Sequence, residues 1–332
     1  MKDEQITPII KRVLGLDLFR KMYLSRRSEE YIIKYYPEDE MKTPMHMSLG
    51  QEAVSVAVCH AIGSSGLVLN SYRSHSTFLA HTENIDLFFA ELYGRTNGLA
   101  DGKSGSMHLA DPERGHWGSV GIVAGSIPIA VGLAFSQKHL ETDSITAVFF
   151  GDGAVDEGSF WESINIACVM KLPIIFVCED NGYAVHTNNA TRHGYHSISE
   201  VIAKFDCSVF YDESNDVESI YQVAKQAQQI VSSGKGPAFL HIKCYRYLEH
   251  VGINDDIQEG YRSLDEYQSW KIKDSLLLQR NKLIQEHKYT ADEIYQLERE
   301  IDLKIEFSIN RARQLPHPKP DQLFRGVFYE RD

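Results

Sequence analysis

The sequence predicts an α/β protein whose mainly parallel sheet is flanked by helices, and three observations lead to this prediction. Short apolar runs alternate with longer segments whose apolar residues recur at helical spacing. Strands that alternate with helices in this way favour βαβ units and therefore parallel pairing. Helical patterns without intervening strands occupy both ends of the 332-residue chain, which predicts helical extensions at its N and C termini.

The same pattern divides the chain into three parts. Residues 1–40 are predicted to form an N-terminal helical extension, and residues 41–262 an α/β domain. Residues 263–332 are predicted to form a C-terminal helical extension that is rich in charged side chains. No internal repeat and no low-complexity linker interrupts this order, so we expect one large domain with additions at its ends.

The N-terminal helix is expected over residues 9–36. Leu18, Phe19 and Met22 recur at helical spacing and are expected to face a core. The charged run at residues 26–30 is expected to form a partly solvated face of the same helix, because most runs of this kind are solvated surface.

The remaining elements follow from apolar runs, periodicity and turn residues. The strands are predicted at residues 67–69, 145–150, 173–178 and 238–244. The helices are predicted at residues 51–62, 87–93, 160–170 and 217–232, and again from residue 264, with an amphipathic stretch over 291–313. Another helix is predicted with Pro128 in its first turn and an end near His139. Residues 98–123 are rich in Gly, Ser and His without periodicity. We predict a long loop there, and loops of that length are usually functional or disordered.

Charge, hydropathy and cysteine usage exclude several classes of function. The formal net charge of -12 argues against general nucleic-acid binding. No apolar run approaches the length of a membrane span, and the first residues are too polar for a signal peptide. The five cysteines are scattered without a Cys-x-x-Cys motif, which suits reduced core thiols. We therefore expect a cytoplasmic protein that contacts neither nucleic acid nor membrane.

The most informative segment begins at a Gly-Asp-Gly motif and ends at Asn181. An apolar strand leads directly into Gly151, Asp152 and Gly153, and the next apolar strand ends just before Asn181. The carboxylate of Asp152 and the amide of Asn181 are therefore expected at the carboxyl ends of two parallel strands, where open α/β sheets bind ligands. Oxygen donors of this kind suit a hard cation such as Mg²⁺ that also holds a phosphate.

Backbone groups beside this motif support the same prediction. The carbonyl of Tyr183 can complete the protein's share of cation ligands, and N–H groups near Gly153 and Ala154 precede a helix and can meet a phosphate oxygen. An isolated Gly-Asp-Gly is more often a tight turn with a solvent-facing aspartate. Its pairing with Asn181 across one βαβ unit favours the cation site over that interpretation.

The segment resembles the thiamine-diphosphate motif, which opens with Gly-Asp-Gly and closes with Asn after the next strand. Four more segments in family order resemble the alpha subunit of the decarboxylating component of 2-oxo-acid dehydrogenases, a group that includes the pyruvate, branched-chain and acetoin enzymes. They read PMHMSLGQEA from residue 44, SYRSH from residue 71, GKSGSMH from residue 102 and CEDNGY from residue 178. The similarity extends over most of the chain and implies the thiamine-diphosphate-binding fold.

The resemblance implies thiamine diphosphate and Mg²⁺ as cofactors. It assigns Asp152, Asn181 and the carbonyl of Tyr183 to the metal ion, and Tyr72 and Arg73 to the diphosphate. Arginine suits that role because its planar fork can meet two phosphate oxygens at once.

Two histidines and one further arginine are assigned by the resemblance. Arg246 and His250 match the family's second active-site loop, in which the histidine touches the diphosphate end and assists transfer to a lipoyl group. His46 matches a histidine near the cofactor. We therefore take His250 and His46 as the candidate catalytic residues, and Arg246 and His250 as cofactor-binding residues.

Backbone contacts complete the cofactor site that the resemblance implies. Gly121, Ile122 and Val123 match the stretch that meets the aminopyrimidine ring, with Ile122 or Val123 as the aliphatic wedge that bends the cofactor. Gly153 and Ala154, whose N–H groups are expected at a phosphate oxygen because they precede a helix, are also taken as cofactor-binding residues.

Three positions depart from the family pattern. Glu249 adds a negative charge near the phosphate site, which points to an altered substrate. Val251 stands where mitochondrial relatives carry a regulatory serine, so phosphorylation control at this position is not expected. Asp180 precedes Asn181 where many relatives have two asparagines, and we keep the metal contact at Asn181.

The implied activity is oxidative decarboxylation of a 2-oxo acid, or cleavage of acetoin, with acyl transfer to a lipoyl acyltransferase partner. In the resembled family the glutamate that acts on the aminopyrimidine ring lies on a separate beta subunit. We therefore expect half an active site, an α₂β₂ assembly, and an isolated chain without activity.

Three other readings remain open at this point. A transketolase-like or carboligase subunit acting on a sugar or other carbonyl donor would have a similar diphosphate site. A non-catalytic subunit could keep the fold without the chemistry. A nicotinamide-dependent dehydrogenase is disfavoured, because no Gly-x-Gly-x-x-Gly follows a strand in a βαβ setting.

Overall fold

A six-stranded parallel sheet forms the centre of the computed structural model, which describes residues 8–326. The strands are β1 (Leu67–Ser71), β2 (His116–Val120), β3 (Thr146–Gly151), β4 (Ile174–Asp180), β5 (Tyr183–Ala184), β6 (Thr187–Asn188), β7 (Ser208–Asp212) and β8 (Ala238–Lys243). The order in the large sheet is β2-β1-β3-β4-β8-β7, and all five pairings are parallel. Strands β5 and β6 form a separate antiparallel hairpin. The predicted fold class is confirmed.

Twelve helices surround the sheet within the described part of the chain. They are α1 (Pro8–Tyr35), α2 (Glu52–Ile62), α3 (His75–Thr82), α4 (Ile85–Leu92), α5 (Ser126–His139), α6 (Gly158–Val169), α7 (Asn189–Arg192), α8 (Ile198–Ile202), α9 (Val217–Ser232), α10 (Leu264–Ile272), α11 (Ser275–Gln285) and α12 (Ala291–Gln314). None of these helices combines the length and the apolarity needed to cross a membrane.

Local capping explains where the longest C-terminal helix begins. The hydroxyl of Thr290 accepts the N–H of Glu293 at 3.2 Å, and the Glu293 carboxylate accepts the N–H of Thr290 at 2.7 Å. This reciprocal pair satisfies two N–H groups that the first turn of a helix leaves free. Arg311 and Arg313 lie in the last turn, where the helix dipole favours positive charge.

Side chains of the central strands alternate between the two faces of the sheet, and each face is covered by helices, so the fold has three layers. In β3, Ala147 and Phe149 belong to a buried cluster shared with α1, α2 and α9. The intervening Val148 and Phe150 belong to a second cluster shared with α5 and α6. Because successive side chains of a strand point to opposite faces, a strand covered on both faces reads as one continuous apolar run. This is the reason that the sequence identified the strand.

The helices at the two ends of the chain pack directly on the sheet domain and on each other. Side chains of α1 enter the same cluster as the sheet, while α12 packs against α1 and α4. The division of the chain at residues 40 and 263 stays a prediction. Residues 1–7 and 327–332 of the two predicted extensions lie outside the described residues.

The charged run at residues 26–30 was expected to form a partly solvated face, and this holds for Arg27 and Glu30 but not for the rest of the run. Arg26 and Glu29 are buried, because each meets partners from distant segments. The Arg26 guanidinium pairs with Glu52 of α2 and with Asp274, which precedes α11. The Glu29 carboxylate lies 2.9 Å from His75 Nδ1. Buried charges of this kind require partners, and the sequence pattern does not reveal them.

The long loop predicted at residues 98–123 is also only partly correct. It contains a 3-10 turn at Pro112–Arg114 and the edge strand β2. The strand reads His-Trp-Gly-Ser-Val, which lacks an apolar run, and it forms because its backbone pairs with β1. The Gly- and Ser-rich part before it has no regular element but is ordered around the buried carboxylate of Glu91, which accepts the N–H groups of Ala100, Gly102, Ser104 and Gly105.

The topology places a crevice between β1 and β3. From β1 the chain goes to β2 on one side of the sheet, whereas β3 lies on the other side of β1 and leads to β4. Where strand order reverses in this way, the connections leave the carboxyl ends of neighbouring strands in opposite directions. The segments that follow β1 and β3 therefore flank an opening at this edge of the sheet.

Candidate functional site

A cavity of about 270 Å³ opens at the carboxyl ends of β1, β3 and β4. It lies at the reversal of strand order, where the fold alone predicts a ligand site. The structure brings nine of the predicted site residues to its wall: Tyr72, Arg73, Val123, Gly153, Ala154, Asn181, Tyr183, Arg246 and His250. It does not bring His46, Asp152, Gly121 or Ile122 to that wall. The roles assigned to all these residues stay predictions.

Arg73 is a buried cation that has only uncharged hydrogen-bond acceptors. Its Nη1 donates to the carbonyl of Met47 at 2.7 Å, and its Nη2 donates to the carbonyl of His250 at 3.1 Å. Burial, and next the charge of Arg246, lower the pKa of Arg73 to about 10, so the guanidinium stays charged at neutral pH. No carboxylate in the described part of the chain forms an ion pair with it. A buried charge without a counter-ion favours an anionic ligand in the cavity.

Arg246 anchors the loop that follows β8. Its Nη1 donates to the carbonyl of Leu248 at 2.7 Å, and its Nη2 donates to the carbonyl of Val185 at 3.1 Å and to the hydroxyl of Tyr261 at 2.8 Å. The guanidinium of Arg262 donates in turn to the carbonyl of Arg246. The two arginines thus hold this loop against the β5–β6 hairpin and keep positive charge beside the cavity.

His46, Tyr72 and His250 form one aromatic cluster at the wall of the cavity. The ring of His46 lies 4.5 Å from that of Tyr72 and 5.4 Å from that of His250, between ring centroids. Burial, and next the positive charge of Arg73, lower the pKa of His46 to about 3 and that of His250 to about 3. Both imidazoles are therefore neutral near pH 7. His46 lies behind Tyr72 and His250 rather than on the cavity wall.

Asp152 and Asn181 follow neighbouring strands, as predicted. Gly151 pairs with Glu179 in the β3–β4 register, so the two side chains leave adjacent strand ends. Asp152 Oδ2 accepts Arg192 Nη2, whereas the buried Asp152 Oδ1 has no hydrogen-bond partner among the described residues. Burial, and next the charge of Asp180, raise the pKa of Asp152 to about 7 against the opposing charge of Arg192. A buried oxygen of this kind can accept a cation.

Asn181 is held so that its amide oxygen faces the backbone that follows. Its Oδ1 accepts the N–H of Tyr183 at 3.2 Å, and its Nδ2 donates to Gln51 Oε1 at 3.0 Å. An amide oxygen has a second lone pair that remains free for a cation. Carboxylate, amide and carbonyl oxygens are the donor set that Mg²⁺ prefers, so Asp152, Asn181 and Tyr183 fit that ion.

Metal sites made of several ionisable side chains are absent from residues 8–326. No group of three or more His, Cys, Asp or Glu side chains there could hold a metal ion. The predicted cation site contains one such side chain, Asp152, because its other ligands are an amide and a backbone carbonyl. A site of this composition would need phosphate or water oxygens as its remaining ligands, as magnesium sites often do.

Each carboxylate oxygen of Asp180, which departs from the family pattern, accepts two hydrogen bonds from neighbouring groups. Its carboxylate accepts the N–H of Gly182 at 3.0 Å, Asn189 Nδ2 at 2.9 Å, His241 Nε2 at 2.7 Å and Lys243 Nζ at 2.6 Å. Burial acts in the opposite sense, but the bond from His241 and the charge of Lys243 hold the pKa of Asp180 below its usual range. The carboxylate is thus committed to its neighbours, which supports keeping the predicted metal contact at Asn181.

The cavity distinguishes between Ile122 and Val123, the two residues predicted as the aliphatic wedge. Val123 lines the cavity, whereas Ile122 does not and is 74% exposed. A Cβ on Gly121 would lie 3.2 Å from the imidazole of His108, so the backbone passes close to that ring. Of the two candidates, Val123 is the one that faces the site.

Two residues that sequence reasoning missed contribute to the site. Glu179 lines the cavity and is buried, which raises its pKa to about 8 against a 3.3 Å hydrogen bond from Ser55 and the charge of Arg73. Arg192 binds Asp152, Asp156 and Asn189. Glu179 lies inside a recognised motif, which was a usable signal. Arg192 lies in a segment without any pattern, so no signal pointed to it.

Comparison with known proteins gives one consistent result. The profile of the family described as "Dehydrogenase E1 component" matches residues 20–321. The alpha subunit of acetoin:2,6-dichlorophenolindophenol oxidoreductase from Bacillus subtilis is 30% identical over 95% of this chain and 93% of that protein. The alpha subunit of the pyruvate dehydrogenase E1 component from Rhizobium meliloti is 32% identical over 94% of this chain and 89% of that protein.

A plant relative shows the same coverage of this chain. The mitochondrial pyruvate dehydrogenase E1 component subunit alpha-1 from Arabidopsis thaliana is 32% identical over 94% of this chain and 79% of that protein. The matches therefore include the strand-end motifs, the cavity wall and most of the helical segments at both ends. Together with the parallel sheet and its cavity, they establish that this chain belongs to the dehydrogenase E1 component family.

Proposed function

We propose that this chain is the alpha subunit of a thiamine-diphosphate-dependent 2-oxo-acid dehydrogenase. The reaction is oxidative decarboxylation of a 2-oxo acid, or cleavage of acetoin, with acyl transfer to a lipoyl group on a partner protein. The observation that carries this proposal is the buried guanidinium of Arg73, which forms no ion pair with a carboxylate of residues 8–326. It lies at the wall of the cavity where strand order reverses, and two glycines of the Gly-Asp-Gly turn line the same cavity. A diphosphate supplies the missing negative charge.

The residues present fit both cofactors. Asp152, Asn181 and the carbonyl of Tyr183 would hold Mg²⁺, because they offer hard oxygen donors and one buried carboxylate oxygen without a partner. Arg73 and Tyr72 would hold the diphosphate. When bound, thiamine diphosphate supplies the carbon nucleophile and accepts the electron pair that is left behind by CO₂.

The cavity walls position the ligand through shape and through neutral donors. A Cβ added to Gly151, which lines the cavity, would have no neighbouring atom within 4 Å, so a ligand can approach this backbone closely. His46 and His250 are neutral, so each ring offers one N–H donor and one acceptor without adding charge. His250 borders the cavity and is the stronger candidate for a catalytic group, whereas His46 positions it from behind.

A beta subunit is the partner that this site requires. Exposed apolar side chains stand on β2 and on the segment that follows it, with Trp117 48% exposed, Ile122 74% and Val123 43%. Clustered exposed apolar surface indicates a protein interface. The relatives are named as alpha subunits, which supports an α₂β₂ assembly in which the beta subunit completes the cavity. A lipoyl acyltransferase is the expected acceptor partner.

The expected compartment is the cytoplasm. All five cysteines are free thiols and four of them are buried, which suits a reducing environment.

Reconstitution of the chain with its beta subunit tests this function. The measurements are binding of thiamine diphosphate with Mg²⁺ by calorimetry, CO₂ release from 2-oxo acids, and reduction of lipoamide or dichlorophenolindophenol. We expect binding and turnover by the assembled subunits and no turnover by the chain alone. Turnover by the isolated chain, or an assembled complex that binds no cofactor, would overturn it.

The carboligase alternative is tested in the same experiment. The names of the relatives favour the dehydrogenase, since they describe pyruvate dehydrogenase and acetoin oxidoreductase subunits. A product in which the donor's acyl carbon is joined to an aldehyde or a sugar, formed without any electron acceptor, would assign the chain to the carboligase class instead.

A further inference from the structure

The loop that carries His250 runs beside the segment around His46 and is anchored to it by backbone hydrogen bonds. The N–H of Tyr247 donates to the carbonyl of Leu49 at 3.1 Å, and the N–H of Gly252 donates to the carbonyl of Met45 at 2.8 Å. Gly252 and His46 also form an isolated parallel bridge. The two anchors lie on either side of His250, so the loop between them decides where that side chain stands.

Between these anchors, Glu249 closes the loop on itself. The N–H of Glu249 donates to the carbonyl of Asn254 at 3.0 Å, and Glu249 Oε1 accepts the N–H of Asn254 at 2.9 Å. A single residue therefore holds both backbone groups of Asn254, once through its main chain and once through its carboxylate. We call this pair of hydrogen bonds the Glu249 clamp.

Gly252 makes room for the clamp. Its φ of +128° lies in a region that other residues rarely adopt, and an ideal Cβ on it would stand 2.0 Å from Glu249 Oε1. The carboxylate thus lies directly over the glycine, and any side chain there would displace it. Glu249 and Gly252 are therefore coupled, since Gly252 permits the position that Glu249 takes.

The clamp bears directly on the cavity through His250. That residue follows Glu249, and its carbonyl accepts Arg73 Nη2 at 3.1 Å. Its ring lies 5.6 Å from the ring of Tyr72 and 5.4 Å from that of His46, between centroids. Release of the loop would therefore move one wall of the cavity and would remove an acceptor from the buried Arg73.

The clamp also gives the negative charge of Glu249 a structural explanation that differs from the one predicted from the sequence. The sequence points to Glu249 as a sign of an altered substrate, because a carboxylate near a phosphate site is unfavourable. In the structure the carboxylate oxygen is used by a backbone N–H of its own loop. A charged acceptor strengthens such a bond, which gives the carboxylate a role within the chain.

We propose that Glu249 is a positioning residue that fixes His250 in the cavity wall by clamping residues 249–254 into one conformation. It acts through the loop and touches neither cofactor nor substrate. Because His250 is a cofactor residue only in the function proposed above, this role rests on that function. The fixed conformation itself is a property of the chain alone.

Three variants test the clamp in the full chain assembled with its beta subunit. Glu249→Ala removes the acceptor, Glu249→Gln keeps an oxygen acceptor without the charge, and Asn254→Ala keeps both backbone groups of that residue. The measurements are amide hydrogen exchange over residues 248–256 and the affinity for thiamine diphosphate with Mg²⁺ by calorimetry.

We expect Glu249→Ala to accelerate exchange in this segment by about tenfold or more, since its protection comes from local hydrogen bonds. Cofactor affinity should fall roughly fivefold, the effect of losing one ordinary hydrogen bond, with an unchanged melting temperature. Glu249→Gln should restore most of both properties, and Asn254→Ala should match the wild type.

Two results would overturn the role of Glu249. Unchanged exchange in Glu249→Ala would show that the loop is held without the clamp, whether or not the protein binds cofactor. Tighter cofactor binding by both Glu249 variants would show that the carboxylate acts as a charge that repels the phosphate. Failure of the wild type to bind cofactor would instead refute the proposed function, while the exchange measurement would still decide the clamp.

Discussion

Arg192 and Asp152 are joined by an ion pair that uses only one oxygen of the carboxylate. Arg192 Nη2 donates to Asp152 Oδ2, while Oδ1 of the same group is buried and has no hydrogen-bond partner within residues 8–326. The guanidinium is itself fixed by Asp156 and by Asn189. The arrangement leaves one oxygen of Asp152 directed by its partner and free for a cation, as is typical of carboxylates that ligate metals.

Replacement of Arg192 should weaken the binding of magnesium. Arg192→Met would free the Asp152 side chain to rotate and would leave the carboxylate buried without a counter-ion. We expect the affinity for Mg²⁺ in the presence of thiamine diphosphate to fall by about tenfold, as for other residues that orient metal ligands. The affinity of Arg192→Lys for Mg²⁺ should lie between that of Arg192→Met and that of the wild type. Calorimetric titration of Mg²⁺ into the protein with saturating cofactor measures this.

A matched control for Arg192 is available at a distance from the site. Arg114 also pairs with an aspartate, Asp111, but its side chain is 50% exposed and it lies outside the cavity wall. Arg114→Met should leave magnesium affinity unchanged. If Arg192→Met bound magnesium more tightly than the wild type, the guanidinium would be a competitor of the cation and not its positioning partner.

Two neighbouring glycines should respond to alanine in opposite ways. A Cβ on Gly151 would have no atom within 4 Å, whereas a Cβ on Gly153 would stand 2.9 Å from the Cβ of Ala184. Gly151→Ala should therefore fold with unchanged stability but bind the cofactor more weakly, because its methyl group enters the space at the cavity. Gly153→Ala should displace the β5–β6 hairpin and lower the free energy of unfolding by about 1 kcal/mol.

Thermal unfolding with and without thiamine diphosphate and Mg²⁺ separates these two effects. Gly151→Ala should match the wild type without ligand and lose most of the ligand-induced stabilisation. A normal ligand shift in Gly151→Ala would show that the cofactor does not approach this backbone.

Much of the fold was predictable, because buried strands and amphipathic helices leave a periodic signal. The central strands β3, β4 and β8 are covered on both faces and read as apolar runs, and α9 was predicted with its observed bounds. The edge strands β2 and β7 were missed. Strand β2 lacks an apolar run, and the apolar run of β7 is limited to three residues, Val209 to Tyr211, so each edge strand leaves a weaker signal than the buried central strands.

The candidate site was predictable where a motif ends a strand, and not where contacts join distant segments. Asp152 and Asn181 follow adjacent strands, so the topology alone places them at neighbouring strand ends. Arg192 reaches Asp152 from forty residues away in sequence, in a short helix without a distinctive pattern. The buried Glu179 accepts a hydrogen bond from Ser55, which lies on α2, and a single sequence does not reveal such a pairing.

Arg26 should be essential to stability, although the sequence pattern predicted a partly solvated face for this run. Arg26→Met would remove the guanidinium that pairs with the buried carboxylates of Glu52 and Asp274, which would keep only backbone N–H donors such as those of Gly50 and Leu276. Removal of one member of a buried ion pair typically costs about 3–5 kcal/mol. Equilibrium unfolding in urea measures this cost.

Arg27, whose side chain is 29% exposed, provides the control, and Arg27→Met should cost at most about 1 kcal/mol. Equal effects of the two variants would contradict a buried network.

Protonation of His116 should contribute to unfolding in acid. Burial, and next the charge of His81, lower the pKa of His116 from 6.5 to about 3. Below pH 6.5 the imidazole of His116 binds a proton in the unfolded chain but not in the folded protein. Its contribution to the free energy of unfolding is therefore complete above pH 6.5 and falls by about 1.4 kcal/mol per pH unit as the pH drops towards 3. His116→Phe keeps the ring packed against Phe78 and should make this fall shallower, as measured by urea unfolding from pH 7 to 4. The exposed His139→Gln should leave the slope unchanged, and an unaltered slope in His116→Phe would refute the assignment.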